Sequence, residues 1–111
     1  TEAFGPSSIV VRARNESEML EVASSLEGSL TCSLFAENED RSLAENLIPI
    51  LESKCGRFLW NDFPPGVVPG PATNHGGPWP ATTDSRFTSI GLEAYQRFVR
   101  PVCRQGFPER A

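Results

Sequence analysis

Between Asp62 and Pro80 the chain carries six prolines and four glycines in 19 residues. Proline has no N–H and a fixed φ, and glycine is entropically costly to hold in a regular element, so neither helix nor sheet ladder runs through this stretch. It divides the 111-residue chain into a periodic first half and a short-element second half. A chain of this length is one domain with room for one modest core. Its 39% apolar and 22% charged residues are ordinary for a globular protein and too apolar for a disordered one. No run approaches the ~18 apolar residues of a membrane helix, so no membrane partner is expected. The N-terminal residues show no basic start and no apolar signal core.

The first half reads as alternating strands and helices. Ser8–Arg14 contains the β-branched run Ile9-Val10-Val11 and predicts a strand. Asn15 followed by Glu18 is a variant capping box, and Met19, Val22, Ala23 and Leu26 then give one apolar helix face. Gly28 stands where a glycine would end that helix. Leu30–Ala36 predicts a second strand. Asn38–Lys54 predicts a second helix with Leu43, Leu47, Ile50 and Leu51 inward and a kink or loosened turn at Pro49. Arg57–Asn61 predicts a third strand. This order is the βαβ pattern, so the expected fold class is α/β: a small, mostly parallel sheet covered by helices. Beyond the loop, Thr88 or Ser89 is placed to cap a third helix through Phe98, with Leu92, Tyr95, Phe98 and Val99 inward. Val102–Phe107 is expected as a short extended tail.

Charge and cysteine content narrow the function. Nine acidic residues and one basic residue lie between Asn15 and Ser53, whereas Arg86–Ala111 holds five arginines and two acids. The net charge of −4 argues against nucleic acid as a partner, because phosphate binding needs clustered Lys and Arg. The C-terminal arginines read as a solvated face or as partners for the acidic helices. Cys32, Cys55 and Cys103 are widely spaced and His75 is the only histidine, so no metal site is expected. Structural free thiols fit a reducing compartment such as the cytoplasm. Ligands of α/β sheets bind beyond the carboxyl ends of strands, and the Pro/Gly-rich loop leaves the third strand there. The residues alone therefore propose a site location without a reaction.

Glu2-Ala3-Phe4-Gly5-Pro6 resembles the E-x-F-G-P motif of the aldehyde dehydrogenases. The run His75-Gly76-Gly77-Pro78-Trp79-Pro80-Ala81-Thr82-Thr83-Asp84-Ser85-Arg86, with Thr88-Ser89-Ile90-Gly91 after it, is similar to one branch of that family. That branch holds the 2,5-dioxopentanoate (α-ketoglutarate semialdehyde) and a related long-chain aldehyde dehydrogenase. Arg97–Cys103 resembles the same branch. The resemblance implies that residues 1–98 correspond to the C-terminal part of the catalytic domain, with 62–91 the loop region on the active-site side. Residues 99–111 correspond to an oligomerisation tail. The chain opens inside the motif, which predicts a piece of a longer polypeptide.

By that resemblance Glu2 is expected to accept hydrogen bonds from the nicotinamide ribose of NAD or NADP, and Phe4 to lie against the nicotinamide. A carboxylate suits the ribose because its two oxygens engage adjacent hydroxyls. The substrate side is expected to comprise Phe63, His75, Gly76, Gly77, Pro78 and Trp79. The glycines admit close backbone approach there, and Phe63 or Trp79 supplies an apolar wall. His75 suits acid–base work by type, but the family mechanism requires no histidine here, so a hydrogen-bonded structural role is favoured. None of the three thiols is expected as a nucleophile, because none has an activating electropositive niche, and the family's catalytic cysteine lies upstream. The implied reaction is thiolate attack on a small aldehyde, hydride transfer and thioester hydrolysis. The chain alone is expected to be inactive and to form a homo-oligomer. The competing reading is a non-catalytic oligomerisation or interaction module acting through its C-terminal segment.

Overall fold

The computed structural model describes residues 3–108. Two helices, two strands and two 3-10 turns carry the fold. Helix α1 spans Glu16–Ser25, strand β1 Ser29–Leu34, helix α2 Arg41–Glu52 and strand β2 Cys55–Trp60. The 3-10 turns are Asn38–Asp40, leading into α2, and Leu92–Phe98.

The start of α1 follows from its sequence. Asn15 has extended backbone, and its Oδ1 accepts from the Glu18 N–H at 2.9 Å. The Glu18 carboxylate reaches back past the cap, accepting from the Arg14 N–H at 2.6 Å and Arg14 Nε at 3.0 Å. These contacts hold the Glu18 carboxyl below its ordinary range. The helix ends at Ser25, three residues before the expected glycine, because Leu26 already adopts an extended backbone. Gly28 serves closer packing instead: a Cβ there would lie 2.4 Å from the Pro78 carbonyl oxygen and 2.3 Å from that of Trp79.

Helix α2 runs through Pro49 to Glu52. Pro49 lies in the last turn with an exposed ring, so one missing N–H costs the helix one bond and does not end it. Strands β1 and β2 pair in parallel, with Ser29 opposite Cys55 and Leu34 opposite Trp60. The helical crossover between them is the expected βαβ unit. Ala23, Leu47 and Leu51 form the buried core, with Leu20, Leu34, Leu43, Ile50 and Phe58 packed around it. Ala44 is buried as well.

Two expected elements are corrected. Ser8–Arg14 forms no strand, and Ile9 and Val10 are each 91% exposed. A strand exists only against a hydrogen-bonding neighbour, and the sheet pairs β1 with β2 alone. The expected helix through Phe98 is reduced to the 3-10 turn after Gly91, whose φ of 109° bars a smooth helical entry. Leu92, Tyr95, Phe98 and Val99 are all exposed, so no buried face holds a longer helix. Val102–Phe107 has no regular structure. The radius of gyration is 19.1 Å, against roughly 13 Å for a compact chain of this length. Among the described residues no helix is long and apolar enough to cross a membrane.

Candidate functional site

The Pro/Gly-rich segment leaves β2 at its carboxyl end and returns along the sheet to its amino end. Phe63 stays at the exit, its ring tilted against Phe35 with centroids 4.9 Å apart. His75–Trp79 lies across the opposite end. A Cβ on Gly77 would meet the Ser29 carbonyl oxygen at 2.6 Å, and one on Gly56 would meet the Gly76 carbonyl oxygen at 2.1 Å. Ser29 is the first residue of β1 and Gly56 the second of β2. The expectation that the whole loop sits beyond the strand carboxyl ends is thereby corrected. Phe63 is separated from the other five expected substrate-side residues by the length of β2, roughly 17–20 Å.

Gly76 and Gly77 pack their backbone against the sheet. Both are buried, and Gly77 has a φ of 152°. Pro78 is half-buried, Trp79 is 75% exposed, and the Trp79–Pro80 peptide is cis. Trp79 and Pro80 border an open groove of about 900 Å3 with Leu26, Gly28, Leu30 and Thr31.

His75 is fixed by the turn that follows it in space. Its N–H donates to Thr88 Oγ1 at 2.7 Å, and its carbonyl accepts from the Ser89 N–H at 3.0 Å. Ring Nδ1 lies 2.7 Å from Ser89 Oγ, which is also 3.0 Å from the His75 carbonyl oxygen. A serine hydroxyl has one proton. The assignment satisfying both contacts has Nδ1–H donating to Oγ, and Oγ–H donating to the carbonyl. Nε2 then remains an acceptor when the ring is neutral. His75 shares a cleft of about 220 Å3 with Leu30, Thr82, Asp84, Phe87 and Arg97. Asp84 is engaged by Arg86 through Nε at 2.9 Å and Nη2 at 2.6 Å, which holds its carboxyl down at about 2.

Thr88 and Ser89 organise this end of the loop, although their sequence reading was a helix cap. Thr88 is 7% exposed, and its hydroxyl donates to the Ile90 carbonyl at 2.6 Å. Asn74 ties the loop to β2, its Nδ2 donating to the Gly56 carbonyl at 3.1 Å. No periodicity signals these pairings, because they join residues 13 to 18 positions apart without a repeated element.

Two residues are expected on the cofactor side, Glu2 and Phe4. Phe4 is 96% exposed and Glu2 lies outside the described residues. Cys32, Cys55 and Cys103 are free. The Cys32 thiol is pushed up to about 11, first by burial and then by the charge and hydrogen bonding of neighbouring Cys55. A thiol so shifted is protonated at neutral pH and a poor nucleophile. Among the described residues no group of three or more His, Cys, Asp or Glu is placed to hold a metal ion.

Comparison with known proteins supplies what the geometry does not. The alpha-ketoglutaric semialdehyde dehydrogenase 2 of Azospirillum brasilense is 48% identical over 108 residues, covering 97% of this chain and 21% of that protein. Over nearly its whole length this chain is similar to that dehydrogenase. The alpha-ketoglutaric semialdehyde dehydrogenase of Acinetobacter baylyi is 47% identical over 104 residues, 94% of this chain and 20% of that one. The chain spans about one fifth of the length of these curated relatives. No family model matches it.

Proposed function

We propose that this chain forms the C-terminal portion of an NAD(P)-dependent aldehyde dehydrogenase that oxidises an aldehyde to the carboxylate. The substrate is 2,5-dioxopentanoate or a long-chain aldehyde. The observation carrying this reading is identity of 47–48% spread over nearly the whole chain with two semialdehyde dehydrogenases. In the assembled enzyme Glu2 and Phe4 contact the nicotinamide side of the cofactor. Phe63 and the His75–Trp79 turn contribute to the aldehyde side, with the turn held rigid by Thr88, Ser89 and Asn74. The chain alone is inactive, because in the resembled family the catalytic cysteine belongs to a segment upstream of the one matched here. Free cysteines throughout favour the cytoplasm.

A chimera tests this reading. The matching segment of the Azospirillum dehydrogenase is replaced by this chain, and cofactor reduction is followed with semialdehyde. An active chimera beside an inactive isolated chain is the expected result. A folded, cofactor-binding chimera without turnover, or turnover by the isolated chain, overturns it.

A second reading, a homo-oligomerising module, is favoured by the C-terminal segment. Phe98 is 82% exposed, and Val99, Val102 and Phe107 are exposed beside it. Contiguous apolar surface of this kind marks interfaces. Arg100 and Arg104 in this segment offer a screened attraction to the acidic helices of a second copy. The expected assembly is a dimer at high micromolar concentration, weakened by deleting residues 99–111. Sedimentation showing monomer with or without that segment overturns it.

A further inference from the structure

We propose that the free edge of β1 takes up the Ser8–Arg14 segment of a second copy of this chain as an added strand. The sheet pairs β1 with β2 alone, so the outer edge of β1 has no neighbouring strand among the described residues. The Leu34 carbonyl accepts from the Asn61 N–H on the β2 side. Bonding direction alternates from residue to residue along a strand, so Thr31 and Ser33 turn their N–H and carbonyl groups to the outer edge. Among the described residues no backbone group meets them there. Leu30 and Thr31 border the open groove of about 900 Å3, which keeps this edge within reach of another chain. The large apolar side chains of the groove, Leu26, Leu30 and Trp79, are all exposed.

The occupant follows from what the chain itself leaves unpaired. Ile9, Val10 and Val11 are β-branched, exposed and outside any regular element. A strand added to an edge gains main-chain hydrogen bonds, and its alternate side chains enter the groove beside that edge. Ile9 and Val11 share one face of such a strand and match the apolar groove. Charge agrees with this pairing. Arg12 of the segment and Glu27 of the groove are both exposed, and neither is in an ion pair among the described residues. Their attraction is screened and favours the register more than the affinity. The segment does not fill the edge of its own copy, because Ile9 and Val10 stay exposed and the Arg14 N–H is held by Glu18 at the start of α1. Each copy therefore carries one donor segment and one acceptor edge, and a two-fold exchange satisfies both. The contact is independent of the dehydrogenase reading and uses none of residues 99–111.

Amide hydrogen exchange in the full 111-residue chain tests this. Protection of the Thr31 and Ser33 N–H groups is expected to rise with protein concentration, and to persist when residues 99–111 are deleted. The double variant Val10→Pro/Val11→Pro removes two consecutive N–H groups, one of which faces the ladder in any register. It lies outside the packed core, so exchange in α2 should be unchanged while the concentration-dependent protection is lost. A blocked peptide of residues 6–15, added to dilute native chain, should shift the Thr31 and Ser33 amide signals saturably. The same peptide carrying both prolines should leave them unmoved. The proposal is overturned if Thr31 and Ser33 exchange at one rate at all concentrations, if the double variant keeps their protection, if it disappears with residues 99–111, or if the two peptides act alike. Should the double variant not fold, the contrast of the two peptides on the native chain still decides.

Discussion

The side chain of Asn61 holds the backbone of Ala36 at both of its polar groups. The Ala36 N–H donates to Asn61 Oδ1 at 2.8 Å, and Asn61 Nδ2 donates to the Ala36 carbonyl at 2.9 Å. The Asn61 N–H also donates to the Leu34 carbonyl at 2.9 Å. The amide thus extends the β1–β2 ladder past its end and launches the Pro/Gly-rich segment from a fixed point. Asn61 has a φ of 49°, a left-handed conformation that asparagine tolerates better than other residues with a Cβ, as glycine does.

Asn61→Gly keeps that backbone and removes both side-chain bonds, so it should destabilise the chain by about 1–3 kcal/mol. Asn61→Ala should cost roughly 1 kcal/mol more, because alanine is strained in the left-handed region. Denaturant melts of the two variants check the order. Equal stability of Asn61→Ala and the native chain would show that the clasp carries nothing.

Gly56 and Gly77 are the crossing points of loop and sheet. Gly77→Ala must move the Ser29 carbonyl or the turn and strains a φ of 152° besides. Gly56→Ala must displace the Gly76 backbone. Each should lose about 1–3 kcal/mol and release the 75–80 turn, seen as faster amide exchange at His75 and Ser89. Gly66→Ala, with open space around it, should leave both stability and exchange unchanged.

The thiols should separate by reactivity. Cys103 is exposed, while Cys32 is half-buried and shifted upward from 9.0 to about 11. Alkylation at neutral pH should label Cys103 first, with Cys32 protected until the chain unfolds, as read by peptide mass mapping. The fold favours the neutral Cys32 thiol, so this contribution is complete below pH 9 and fades as pH rises toward 11.

Asp84 gives the acid-side counterpart. Hydrogen bonds from the Arg86 side chain and N–H lower its carboxyl from 3.8 to about 2. The folded state holds fewer protons there, so the contribution is present above about pH 4 and lost as pH falls through 2. Both side chains are solvent-accessible, and the effect is screened by salt. The carboxyl carbon shift of Asp84 should titrate near 2 in the native chain and return toward 3.8 in Arg86→Gln.

The elements legible in the sequence are those whose stabilising partners are close along the chain. Asn15 and Glu18 cap α1 within one turn, and Leu43, Leu47, Ile50 and Leu51 mark the inner side of α2. The strands around Cys32 and Phe58 stand out because the intervening helix lets them meet in parallel. The Asp62–Pro80 composition likewise announces a segment without regular structure.

Tertiary structure decided the rest, because those outcomes depend on partners no local pattern names. Ile9-Val10-Val11 has strand propensity in full, yet propensity makes no hydrogen bond, and among the described residues no neighbouring strand takes it up. Leu92, Tyr95 and Phe98 have helical spacing but no apolar surface beneath them, so their turns stay 3-10 and exposed. The return of the loop to the amino end of the sheet was hidden for the same reason. It is set by Gly77 against Ser29, Gly56 against Gly76, and Thr88 with Ser89 against His75. These are contacts between residues far apart in the chain, and their energy exists only once both sides are in place.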